Sequence, residues 1–214
     1  EYTNRLFDLI AALVPDGVEG SVSTLPGSFK EFITEPAQEQ AIRDNLWKCV
    51  EHIASLSERT GKTLHLGLEP EPLGYFETSA ETIAFFEQLR AEHPDDARLA
   101  AHLGVNYDTC HLAVEYEEAA EALGAFRAAG IRISKLHLSA ALKVTPDADT
   151  RARLKPFEED VYLHQVIERQ PDGTLTRHRD LNVALATDLK ADEWRIHFHI
   201  PLHCPDGEWF ASTR

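Results

Sequence analysis

The stretch "GVNYDTCHLAVEYE", residues 104–117, decides how this chain is read. Gly104, Val105, Asn106 and Tyr107 run as a short extended segment, and then Asp108 and His111 stand three residues apart, where the chain turns towards a helix. A short, mostly apolar run bounded by polar residues is how a strand buried in a parallel sheet reads. Such strands send their carboxyl ends to one face of a βα fold, and binding sites form there. An acid and an imidazole at a strand end therefore raise the question of how the other strands end.

They end in the same kind of residue. "KTLHLGLEPEP" (62–72) closes on Glu69 and Glu71, "IRISKLHLSAAL" (131–142) carries His137, and "EWRIHFHIPLH" (193–203) carries His197, His199 and His203. Between the strands lie helical patterns. Leu6, Leu9, Ile10 and Leu13 keep helical spacing before Pro15-Asp16-Gly17, and "EQAIRDNLWKCVEHIASLSERTG" (39–61) is a long amphipathic helix with Gly61 as its stop. "TSAETIAFFEQLRAEH" (78–93) opens on Thr78 with Glu81 as a capping box, and "EEAAEALGAFRAAG" (117–130) ends at Gly130. Pro171-Asp172-Gly173 marks a hairpin within 160–181, and "NVALATDLKAD" (182–192) reads as a helix. Strand and helix alternate, so the expected class is α/β, a (β/α)8 TIM-barrel type in a single domain over residues 1–214. A full barrel takes about 250 residues. Five barrel-type strands and a hairpin, starting near residues 20, 63, 104, 132 and 195, make an incomplete barrel, with pieces expected to be missing at both ends. The lack of an initiator Met and the opening directly in a helical pattern suit a fragment or a processed chain.

The composition excludes several functions. A net charge of −15, with no basic run, repels phosphate backbones, so neither a nucleic-acid groove nor an anionic membrane surface is expected as a partner. No stretch approaches 18 consecutive apolar residues, so no membrane-spanning helix is expected. Cys49, Cys110 and Cys204 are odd in number and far apart, which suits a reducing, cytoplasmic compartment without a disulfide framework.

Carboxylate and imidazole groups from several strands suit a divalent ion: Mn²⁺, Zn²⁺, Co²⁺, Fe²⁺ or Mg²⁺. The candidate metal ligands are Glu69, Asp108, His137 and His199. Each has a plainer reading. Asp108 is a natural helix cap. His137 alternates with Leu136 and Leu138 and suits a hydrogen-bonded core histidine, and His197 and His199, which share a strand face, suit donors to backbone carbonyls. Glu71, between two prolines, suits a turn acid, and Cys110 lacks the base-and-orienter arrangement of a thiol nucleophile. His52, His65, His93, His102 and His164 carry little functional weight.

The ordered set of Glu69 in "LGLEPEP", Asp108 and His111 in "YDTCH" and His137 in "KLHLS" resembles the xylose isomerase-like TIM barrel superfamily, the sugar isomerase, epimerase and endonuclease IV group. The segments "LGLEPEPLGYFET", "GVNYDTCHLAVEYE", "ISKLHLSAAL", "VYLHQV" and "RIHFHIPLH" are most similar to its EboE-like metabolite traffic proteins, over about residues 60 to 205. The superfamily's closing Glu has no match here; the last strand carries His197 and His199 instead.

That resemblance implies a divalent-metal-dependent isomerase or epimerase acting on a small sugar-like polyol or precursor metabolite. Glu69 would act as ligand and proton shuttle, and His111 would orient a substrate oxygen. Two rivals remain open: a non-catalytic metabolite-binding or traffic protein, and a metal-dependent phosphoester hydrolase of the endonuclease IV type, which the negative charge disfavours on DNA. Substrate, metal identity and oligomeric state are not legible in the sequence.

Overall fold

The computed structural model describes residues 1–187 and 190–214. In chain order the elements begin α1 (Tyr2–Leu13), β1 (Gly20–Thr24), α2 (Pro36–Thr60), β2 (Leu64–Leu68), α3 (Ser79–Glu92), α4 (Ala97–His102) and β3 (Leu103–Asp108). They continue with α5 (Thr109–Val114), α6 (Ala119–Ala128), β4 (Arg132–His137), β5 (Ala140–Val144) and α7 (Ala148–Leu154). The last are β6 (Val166–Arg169), β7 (Leu175–His178), α8 (Leu181–Leu185), β8 (Glu193–Ile200) and β9 (Ala211–Ser212). The helix expected over 182–192 is found only as α8, and Asp188 and Leu189 of that segment lie outside the described residues. No described helix is long and apolar enough to cross a membrane.

Two compact units emerge: residues 1–107 with 120–136, and residues 108–119 with 137–214. The first is built on a sheet of order β1-β2-β3-β4, in which β1 and β2, and β2 and β3, pair in parallel. All five residues of β2 are buried, as the centre of a covered parallel sheet requires. Local chemistry delimits the long helix α2. Pro36 occupies its first turn, Glu35 and Gln38 form a capping box, and Gly61 ends it at φ +69° in the left-handed region. At the start of α3, Thr78 accepts from the Glu81 N–H at 3.2 Å, while the Glu81 carboxylate accepts from the Glu77 N–H at 2.7 Å and from Lys30 Nζ at 2.9 Å.

Gly104 fills a demand of strand packing. A Cβ there would lie 2.5 Å from the Arg132 carbonyl oxygen and 2.5 Å from Ser134 Oγ. Gly104→Ala is therefore expected to cost about 1–3 kcal/mol, the usual range for overpacking against backbone. A chemical-denaturation midpoint unchanged from wild type would contradict that close approach.

The second unit holds an antiparallel sheet of order β7-β6-β8-β5-β9. The hairpin read around Pro171-Asp172-Gly173 is β6 and β7, with Gly173 at φ +86° in the turn. Trp194, Leu142, Val144, Leu154, Val166, Leu181, Ala184 and Ile196 form its core. Trp194 is fully buried and gives its indole N–H to Glu168 Oε2 at 2.9 Å, and the Arg151 guanidinium lies 4.4 Å from the ring centre.

This sheet overturns the barrel expectation. The eight-fold (β/α) barrel, complete or truncated, is not present among the described residues; the fold is mixed α/β. Two segments account for the correction. Residues 131–142 read as one strand, but the chain breaks at Leu138 and Ser139, so that β4 joins the parallel sheet and β5 the antiparallel one. β8, read as the last barrel strand, pairs antiparallel with both β5 and β6. Barrel strands are parallel to their neighbours and linked by crossovers, which β8 is not.

Candidate metal centre

The candidate centre starts at the residue that raised the question. Asp108 ends β3 and caps α5, with Oδ1 accepting from the N–H groups of Cys110 at 2.8 Å and His111 at 3.4 Å. Its second oxygen, Oδ2, lies 3.4 Å from His137 Nδ1 and 4.0 Å from His111 Nε2. Cap and candidate ligand, which the sequence posed as alternatives, are thus the two oxygens of one carboxylate. Asp108 is only 2% exposed, so its charge must be met by partners within the protein.

One turn of helix then brings His111, also buried, back beside Asp108. Thr109 anchors this corner: its hydroxyl donates to the carbonyls of His137 at 3.1 Å and Ser139 at 2.5 Å and accepts from the Ser139 N–H at 3.0 Å.

Strand alternation on β8 supplies the rest. His197 and His199 stand two residues apart, and their Nε2 atoms approach to 3.0 Å. Each outer nitrogen has its own partner: His197 Nδ1 meets Gln165 Oε1 at 2.7 Å, and His199 Nδ1 meets Ser139 Oγ at 2.8 Å. The His111 ring stands edge-on to both, with centroids 4.5 Å from His197 and 5.3 Å from His199. Burial, reinforced by the neighbouring His111 and His199, pulls the His197 imidazole down to about 3, so it is neutral near pH 7. Cys110 donates its S–H to the Phe198 carbonyl at 3.5 Å, and burial, aided by the Asp108 charge, pushes its thiol far above the ordinary range.

No protein-family model matches the chain, and no curated protein matches it. The superfamily resemblance therefore rests on the quoted motifs alone, and the centre rests on its geometry.

Within the second unit, the ligand atoms of Asp108, His111 and His199 all lie within 4.8 Å of one another, as do those of Cys110, His197 and His199. Donors bound to one ion through bonds of about 2.0–2.2 Å stand at most about 4.4 Å apart. The Asp108, His111 and His199 group thus fits an ion after shifts of a few tenths of an ångström. Two imidazoles and one carboxylate suit Zn²⁺, Co²⁺ or Fe²⁺ better than Mg²⁺, which prefers oxygen ligands.

Of the residues singled out in the sequence, Asp108, His111, His137 and His199 come together in this unit. Glu69 belongs to the first unit, where it follows β2, is 9% exposed and donates its N–H to the Thr24 carbonyl at 2.9 Å. The histidines given little weight have ordinary partners: His52 pairs with Asp8, His65 with Glu19, and His102 with the Leu64 carbonyl. His93 stacks on Trp47, and His164 packs on Phe198. Sequence reading missed Thr109, Ser139 and Gln165. Their only signal was adjacency to the candidate ligands, because a hydroxyl or an amide in a strand or turn follows no periodicity.

Proposed function

We propose that the protein binds a divalent transition-metal ion through Asp108, His111 and His199 and uses it to isomerise or epimerise a small sugar-like polyol. The convergence of those three donor atoms within 4.8 Å carries the metal reading. The motif resemblance supports the reaction class. When bound, the ion supplies Lewis acidity towards a carbonyl and its neighbouring hydroxyl.

The chain's own residues have separate tasks. Asp108 supplies the negative charge and, through its other oxygen, keeps α5 in register. Oδ2 of Asp108 braces His137 Nδ1, and the His137 side chain is 41% exposed, so we assign proton transfer to this imidazole. His111 aligns His197 and His199 by ring contact.

The test loads metal-free protein with Co²⁺ or Zn²⁺, measures the metal retained after dialysis, and incubates the loaded protein with a panel of aldoses and ketoses in D₂O. About one ion per chain and deuterium entry next to the sugar carbonyl are expected, the latter lost in His137→Ala. Retained metal without deuterium entry for any sugar would replace catalysis with metabolite or metal binding; no retained metal would remove the centre.

A further inference from the structure

We propose that Gln165 and Ser139 are positioning residues that set His197 and His199 as a two-imidazole clamp for a transition-metal ion, adding His197 to the ligand set. This inference rests on the metal reading above and deepens it.

Gln165 is 7% exposed and holds His197 twice. Its main-chain carbonyl accepts the His197 backbone N–H at 2.9 Å, and its side-chain Oε1 meets ring Nδ1 at 2.7 Å. A carbonyl oxygen only accepts, so Nδ1 carries the proton, an assignment that follows from the bonding. With the proton on Nδ1, Nε2 is the ring nitrogen left to offer a lone pair, and it lies 3.0 Å from His199 Nε2.

Ser139 plays a different part. Its hydroxyl both donates and accepts. Donating to His199 Nδ1 at 2.8 Å, it leaves the proton on His199 Nε2, which bridges the 3.0 Å to His197. Rotated to accept from Nδ1–H, it frees the His199 Nε2 lone pair as well. Two imidazoles then present lone pairs at a separation that already suits one ion, since neighbouring donors with bonds of about 2.0–2.1 Å stand about 2.8–3.4 Å apart, and ring rotation turns both towards it. Partners that fix the outer nitrogen and orient the ring are a general feature of metal-binding histidines. Nitrogen donors at this density select Zn²⁺, Co²⁺, Ni²⁺ or Cu²⁺ over Mg²⁺ and Ca²⁺.

The test titrates metal-free full chain with Co²⁺, followed by visible absorption, with Mg²⁺ as competitor. Wild type is expected to develop Co²⁺ bands that excess Mg²⁺ does not erase. Gln165→Leu and Ser139→Ala are each expected to weaken Co²⁺ about 10–100-fold and to alter the bands, the range for loss of such a partner. Gln165→Glu keeps an acceptor oxygen on Nδ1 and should retain wild-type affinity, which a merely structural glutamine would not predict. If Gln165→Leu fails to fold, Ser139→Ala carries the test alone, because that hydroxyl lies at the exposed edge of the site. Unchanged affinity and bands in Gln165→Leu and Ser139→Ala, with binding lost in Asp108→Asn, would overturn the clamp and leave the centre standing. No bands in wild type would overturn both.

Discussion

Asp108→Asn is expected to lower divalent-metal affinity by at least about 10–100-fold, the range already seen for loss of a partner one step removed from the ion. The melting temperature should move by only a few degrees. The two oxygens explain the separation. Asn and Asp cap helices about equally well, and the amide oxygen can take the place of Oδ1 beneath the Cys110 and His111 N–H groups. The amide nitrogen replaces Oδ2, so the side of the group that faces His137 and His111 loses its charge and its lone pairs. His111→Ala is a poorer probe, because it deletes a buried ring and so disturbs packing together with binding. Bound Zn²⁺ or Mn²⁺ and thermal unfolding, measured on the same Asp108→Asn preparation, decide the matter. Unchanged metal content would reduce Asp108 to a helix cap.

Trp194→Ala should produce the largest loss of stability, about 3–5 kcal/mol, the range for deleting a large buried aromatic. The indole is fully buried in the core of the antiparallel sheet. Two polar groups depend on it as well. Glu168, itself wholly buried, would keep the His178 contact at 3.2 Å on the same oxygen but lose the 2.9 Å indole donor. Arg151 would lose the ring face beneath its guanidinium. Trp194→Phe is the milder change: it keeps much of the apolar volume but removes the N–H together with one ring of the indole, so a smaller loss, about 1–3 kcal/mol, should follow from the lost donor to Glu168 and the small gap left behind. Denaturant unfolding of the three proteins provides the comparison. A Trp194→Ala loss below about 1 kcal/mol would mean that the sheet collapses onto the gap far more readily than packed cores do.

Local chemistry made much of the molecule legible without coordinates. Helix α2 follows from its apolar spacing and its Gly61 stop, the β6–β7 turn from Pro171-Asp172-Gly173, and the buried strands β2 and β3 from short apolar runs that end at Glu69 and Asp108. Glu69, Asp108, His111, His137 and His199 were singled out together because acids and imidazoles at strand ends are costly unless they have partners.

Strand direction was not legible. A run such as "RIHFHI" has the same alternation whether its neighbours are parallel or antiparallel, since side-chain period is two in both. Pairing of β8 with β5 and β6, a long-range property of hydrogen bonding between segments far apart in sequence, turned the expected barrel strand into the centre of an antiparallel sheet. The break at Leu138 and Ser139 was hidden for a related reason: "KLHLSAAL" is uniformly compatible with a strand, and the Thr109 hydroxyl that holds the turn lies 30 residues away from Ser139. The sequence by itself determined which residues have the chemistry to hold a metal ion. Tertiary structure alone decided which of them meet, because the 3.0 Å approach of His197 to His199 and the hold of Gln165 and Ser139 on their outer nitrogens depend on three segments converging in space.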